Sequence, residues 1–103
     1  MENAAAIAMM GALAQPTRLR VVGVLGRESP NGLPVGEIAA RVETPQNTMS
    51  THLAILSRAG LVVARRIGRV IEYRVDEDAL RRLADYLLAQ APAGGARRTD
   101  HAG

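Results

Sequence analysis

Apolar and polar positions follow several different rhythms along this chain, and each rhythm predicts an element. From Asn3 to Leu13 the residues are apolar on nearly every side, which predicts a helix meant for burial. Gln15-Pro16-Thr17 interrupts it, and Pro16 suits the first turn of a second helix, where its missing N–H costs nothing. Leu19, Val22 and Leu25 supply that helix with a core stripe, and Arg18 and Arg20 are placed outward. Ser29-Pro30-Asn31-Gly32 is a turn cluster. Val35, Ile38, Ala39 and Val42 recur at helical spacing and predict a short third helix. Thr44 is then the expected cap of a fourth helix, with Pro45 at its first position and Gly60 ending it. Leu61 to Ile67 and Val70 to Val75 are β-branched runs joined at Gly68-Arg69, a two-residue hairpin signal with glycine first. Asp76-Glu77-Asp78 puts negative charge at the start of a last helix, where it complements the helix dipole. That helix reaches about Gln90, with Leu80, Leu83, Ala84, Leu87 and Leu88 on one face. No internal repeat is visible.

The predicted fold is therefore mainly α with a small β-hairpin, in the order α-α-α-α-β-β-α. The two short central helices and the hairpin make a winged helix-turn-helix. The first and last helices are surplus to that unit and apolar, so they are expected to form a dimer interface through Ile7, Met10, Leu80, Leu83, Ala84 and Leu87. Residues 1 to 90 make one DNA-binding and dimerisation domain. Residues 91 to 103, dominated by Pro, Gly, Ala and Arg, read as a flexible tail.

The fourth helix carries the candidate chemistry. Stepping 100° per residue from Met49 puts Leu53, Leu56 and Gly60 within about 40° of it, which defines the buried side. Asn47, Thr51, Ala54 and Arg58 fall opposite, with Ser50 at the edge and Gln46 in the first turn. These residue types can read a DNA groove. Asn pairs bidentately with adenine and Arg with guanine, Ser and Thr bond either bases or phosphate, and Ala touches a thymine methyl. A solvated helix face is the competing reading, but such faces favour Glu and Lys, and this helix has neither. Arg65, Arg66 and Arg69 surround the hairpin tip, placed for phosphate contact or, for Arg69, insertion into a narrow minor groove. A charged edge that blocks strand aggregation explains them equally well, and both roles can coexist.

Composition narrows the function classes. The chain has 103 residues and 48% hydrophobic content, enough for one domain with a modest core. The absence of cysteine excludes disulfides, thiolate metal sites and cysteine nucleophiles within it. Net charge is +3 and every basic residue is Arg, which fits phosphate and guanine recognition but also a GC-rich coding bias. No stretch reaches the ~20 apolar residues of a membrane span. Residues 3 to 14 lack the basic flank of a signal peptide, so a cytoplasmic location is expected. His52 lies about 60° from the buried centre and is read as a packed, hydrogen-bonded core histidine rather than a base reader or metal ligand. His101 is isolated in the tail, and two separate histidines do not make a zinc site. No metal, cofactor or catalytic constellation is assigned, and no enzyme is expected.

With these residues in view, the chain resembles the ArsR/SmtB (arsenic-repressor) family of winged-helix regulators over about residues 10 to 90. Three stretches carry the resemblance: Leu13 to Leu19, Ser50 to Val62, and Gly68 to Tyr73. The resemblance implies a homodimer that represses transcription from a palindromic operator on double-stranded DNA and is usually released by an effector. It is nearest an arsenite-linked branch, yet none of three inducer sites is intact. Pro34 and Gly36 stand where one pattern has thiols. Ala79 and Gln90 stand where zinc and nickel sensors place histidines. Ala91-Pro92 replaces a cysteine pair after the last helix. Without a thiol, trivalent arsenic has no soft ligand, so the inducer is unknown. The alternatives are an arsenic- or metal-responsive repressor whose cysteines were lost or engineered away, and a winged-helix protein-interaction module without specific DNA binding. A sensor built from His52, His101 and Asp76 to Asp78 is a third.

Overall fold

The computed structural model describes residues 1–91. Five helices and three strands follow in order: α1 (Asn3–Leu13), α2 (Pro16–Glu28), β1 (Leu33–Pro34), α3 (Val35–Arg41), α4 (Gln46–Arg58), β2 (Val62–Ile67), β3 (Val70–Val75) and α5 (Glu77–Leu88). The expected tail falls outside the described residues from position 92 onward, as does His101. The expected order holds, with one addition. β1 is a two-residue strand that pairs antiparallel with β3, so the hairpin belongs to a three-stranded sheet ordered β1-β3-β2. Two residues between a turn and a helix are too few for any periodicity to announce a strand.

Local chemistry explains the boundaries. Gln15 caps α2 by accepting from the Arg18 N–H at 2.8 Å, with Pro16 beginning the helix. Asp76 caps α5 through the Ala79 N–H at 3.0 Å, which fulfils the acidic start expected there. The expected cap at Thr44 is displaced by one residue. Pro45 is the N-cap of α4 and Gln46 its first residue, while the Thr44 hydroxyl turns back to the Val42 carbonyl. Thr44 is held there because its N–H closes the preceding helix onto Ala39 O.

Both helices of the central pair end in the same way. In α3 the N–H groups of Glu43 and Thr44 bond Ala40 O and Ala39 O; in α4 those of Gly60 and Leu61 bond Ser57 O and Leu56 O. This double closure needs a left-handed residue, supplied by Gly60 at φ 84° and, unusually, by Glu43 at φ 53°.

The core is Val21, Leu25, Ile38, Met49, Leu53, Leu56 and Leu61, all fully buried, with Ala6, Met9, Ala12, Val62, Val75, Ala79 and Leu83 around them. Three expectations are corrected here. Leu19 is 57% exposed, because the inner stripe of α2 centres on Val21 and Leu25. Leu19 lies about 160° from Val21, whereas Arg18 lies about 60° from it and is half-buried. Helix α1 is not buried all round; Ala6, Met9 and Ala12 face inward while Ile7 remains 65% exposed. Leu83, expected at a dimer interface, is instead packed into the core of its own chain, 5% exposed.

Helices α1 and α5 lie together, joined by a hydrogen bond from the Tyr86 hydroxyl to Asn3 Oδ1. Ile7, Met10, Ala84, Leu87 and Leu88 are exposed on them. Leu80 is half-buried against the core.

Candidate nucleic-acid interface

Helix α4 buries Met49, Leu53 and Leu56 and exposes Gln46, Asn47, Ser50, Thr51, Ala54 and Arg58. All six candidates on this helix are therefore at the surface, on a face without an acidic side chain. Thr48, not among the sequence candidates, is exposed with them in the first turn. The helical count puts it beside the outward row, and a check of every short polar residue in that turn would have found it.

Hydrogen bonds set what each residue can offer. Ser50 donates its hydroxyl to Gln46 O at 3.1 Å, which leaves its oxygen free to accept. Asn47 Oδ1 accepts from the Thr48 N–H at 2.9 Å, so the amide's two N–H donors face outward unpaired. Gln46 leans toward α3: its Oε1 lies 3.4 Å from where a Cβ on Gly36 would sit. Asn47, Thr51, Ala54 and Arg58 form the freest row.

The wing is built by strict cross-strand register. Val62 faces Val75, Ala64 faces Tyr73, and Arg66 faces Ile71 on one side of the hairpin. Val62 and Val75 are core residues and Tyr73 packs against them, so this is the side turned to the helical body. Val63 faces Arg74, Arg65 faces Glu72, and Ile67 faces Val70 on the other side. Adjacent in sequence, Arg65 and Arg66 thus point to opposite faces. Arg65 stands across from a carboxylate over a cleft of about 300 Å³ that Pro30, Asn31 and Gly32 also line. Arg66 stands across from an isoleucine. Arg69 is the second residue of the turn, after Gly68 at φ 62°, and is fully at the tip. With glycine alone in the left-handed region, the turn matches the glycine-first hairpin type expected.

His52 is half-buried rather than a core residue, and its Nδ1 lies 3.4 Å from Arg18 Nη1. Among the described residues, no group of three or more His, Asp or Glu side chains is placed to hold a metal ion. No described helix is long and apolar enough to cross a membrane.

Comparison with known proteins places this geometry. A helix-turn-helix domain family matches residues 13–65. The chain is 45% identical over 59 residues to the uncharacterized HTH-type transcriptional regulator YbzH of Bacillus subtilis, covering 57% of this chain and 59% of that protein. It thus spans about three-fifths of that relative's length. It is 36% identical to the biofilm growth-associated repressor of Agrobacterium fabrum, covering 79% of this chain and 67% of the repressor. Among solved structures it is similar to an ArsR-like transcriptional regulator from Rhodococcus, with TM-score 0.78 and 28% identity, covering 94% of this chain and 88% of that one. It is also similar to the homodimeric winged helix-turn-helix DNA-binding domain of Mb0332 from Mycobacterium bovis, with TM-score 0.69 and 30% identity, covering 84% of this chain and 78% of that one.

Proposed function

The chain belongs to the ArsR/SmtB family of winged helix-turn-helix transcriptional regulators, and from that premise we propose that it acts as a homodimeric repressor on a two-fold operator. The observation that carries this reading is the outward row of α4, short and polar with one arginine and no acid, beside a wing tipped by Arg69. In this reading Asn47, Thr51, Ala54 and Arg58 meet base edges, Gln46 and Ser50 support them at the helix start, and Arg66 and Arg69 hold phosphates. Arg65 contributes less, because it stands on the far face opposite Glu72.

Dimerisation is supported by the exposed apolar surface of Ile7, Met10, Leu87 and Leu88 on α1 and α5, and by the homodimer described for Mb0332. Ala84 and the exposed part of Leu80 lie at the same surface. A two-fold dimer sets its recognition helices about one DNA turn, ~34–36 Å, apart. With no cysteine in these residues, release by a thiophilic metal has no ligand to act on. The cytoplasm is the compartment that suits such a regulator.

A second reading, a protein-interaction module, draws on one observation: Val63, Ile67, Val70 and Ile71 leave apolar surface exposed along the wing. Fluorescence anisotropy separates the two, using DNA from upstream of the chain's own gene against a shuffled duplex at two salt concentrations. A preference of ~10³ or more for the native duplex supports the repressor. Equal, salt-sensitive binding to both puts the interaction module ahead.

A further inference from the structure

Arg18 occupies a position that the DNA-contacting surface does not explain. It sits on the inner side of α2 and is half-buried, and among the described residues it has no carboxylate within ion-pair distance. Its guanidinium is spent instead on two other helices. Nε donates to Ala12 O at 2.7 Å, satisfying a carbonyl in the last turn of α1. There its charge also complements the negative end of that helix, which has no basic residue of its own in the last turn. Nη1 reaches His52 Nδ1 at 3.4 Å, on α4. One side chain thus joins the carboxyl end of α1, the body of α2 and the middle of the recognition helix.

We propose that Arg18 is a positioning residue for DNA recognition: through His52 it fixes how α4 seats against α1, and protonation of His52 releases that seat. The proposal rests on the DNA-binding reading above. Its chemistry follows from the two groups alone. Neutral imidazole with a free Nδ1 accepts from Arg18. Protonated imidazole presents N–H at both nitrogens, so donor then faces donor and two cations stand 3.4 Å apart.

The elements packed against α4 carry Arg20, Arg27 and Glu28 on α2, Glu37 and Arg41 on α3, and Arg65 and Arg66 on β2. Helix α1 has no titratable side chain, and α4 has none from Thr48 to Leu56 except His52 itself. On α3, Arg41 is engaged with Glu28 at 2.8 Å and with Glu37 at 3.4 Å. Because α1 also belongs to the proposed dimer face, the same contact ties the spacing of the two recognition helices to the orientation of each.

The chain makes the test simple, since it has two histidines. In the full-length His101→Gln protein, His52 is the sole imidazole. The quantity to follow is the ratio of affinities for a duplex enriched from a random pool and for its shuffled counterpart. Taking the ratio removes the general gain in phosphate attraction that an added positive charge brings. That ratio is expected to fall about tenfold or more between pH 7.5 and 5.5. Adding His52→Asn, which keeps an acceptor without a titrating ring, is expected to flatten the profile. Adding Arg18→Met is expected to flatten it at the low value.

In the free protein, Arg18→Met should quicken amide exchange across α4 about tenfold while leaving α5 unchanged. Should the Met variant fail to fold, the His52→Asn comparison alone still decides. A ratio independent of pH in the His101→Gln protein overturns the proposal, as does a pH dependence that survives His52→Asn. Absence of any preferred duplex at pH 7.5 instead overturns the DNA-binding reading, and this proposal falls with it.

Discussion

Replacing Arg66 or Arg69 by Ala is expected to change the salt dependence of DNA binding, and replacing Arg65 to change it much less. The difference follows from the register of the wing. Arg66 pairs across the hairpin with Ile71 on the side turned to the helical body, and Arg69 is at the tip. Arg65 stands in register with Glu72 on the far side of the hairpin, so it points away from the face that carries Arg66. Each phosphate contact removed lowers the slope of log K against log salt by about 0.9. A two-fold dimer carries each residue twice, so Arg66→Ala or Arg69→Ala should flatten the slope by about 1.8. Between 50 and 200 mM salt, a fourfold span, that slope corresponds to about twelvefold less salt-induced loss than in the wild type. The loss should appear on operator and shuffled duplexes alike, because phosphates carry no sequence. Anisotropy titrations at four salt concentrations measure it directly. Equal flattening by Arg65→Ala and Arg66→Ala would refute the division of the wing into a DNA side and a far side. An unchanged slope in Arg69→Ala would remove the tip from the phosphate contacts.

Asn47→Ala and Thr51→Ala should each cost about 1–3 kcal/mol on the operator and far less on a shuffled duplex, measured in the same titrations; equal losses on both would mean they do not read bases. Glu43→Gly should raise stability by about 1 kcal/mol in urea unfolding, because glycine adopts the left-handed φ of 53° without a Cβ penalty, while Gly60→Ala at φ 84° should lower it by a similar amount. Leu88→Glu should give a folded monomer in sedimentation equilibrium, whereas Leu83→Glu should fail to fold cooperatively, since Leu88 is 69% exposed and Leu83 only 5%. The hydrogen bond from Ser29 holds the Glu77 carboxyl below the ordinary value of 4.5, with Arg81 assisting. A lowered folded-state pKa stabilises above the unfolded value and is lost as pH falls through the folded one. The Tm deficit of Ser29→Ala should therefore be present at pH 7 and shrink below about pH 4.5; a deficit that persists undiminished would assign it to packing.

The elements that could be read from the chain alone are those whose signal is local. The period of Met49, Leu53 and Leu56 fixes both the helix and its outward row, because a helix with one clear apolar stripe has only one way to turn. Gly60 and Gly68 announce left-handed positions, and glycine is the residue that takes them freely. Asp76 announces a helix start because its side chain can reach the N–H three residues on. Even the opposite facing of Arg65 and Arg66 follows from strand alternation once the register is known.

Tertiary structure decided what had no local signal. An apolar helix such as α1 has no preferred side until something packs on it, and only contact with the core selects Ala6, Met9 and Ala12 and leaves Ile7 out. In α2, apolar residues at 19, 21, 22, 24 and 25 allow more than one inner stripe. The core took the one centred on Val21 and Leu25, which sent Leu19 to the surface and drew Arg18 inward. The contact between Arg18 and His52 spans 34 positions. The pairing of β1 with β3 and the strained turn at Glu43 are likewise products of the assembled fold. Local sequence sets the shape of each element, but which face is buried is a property of its neighbours, and neighbours distant in the chain meet only when the whole domain has packed.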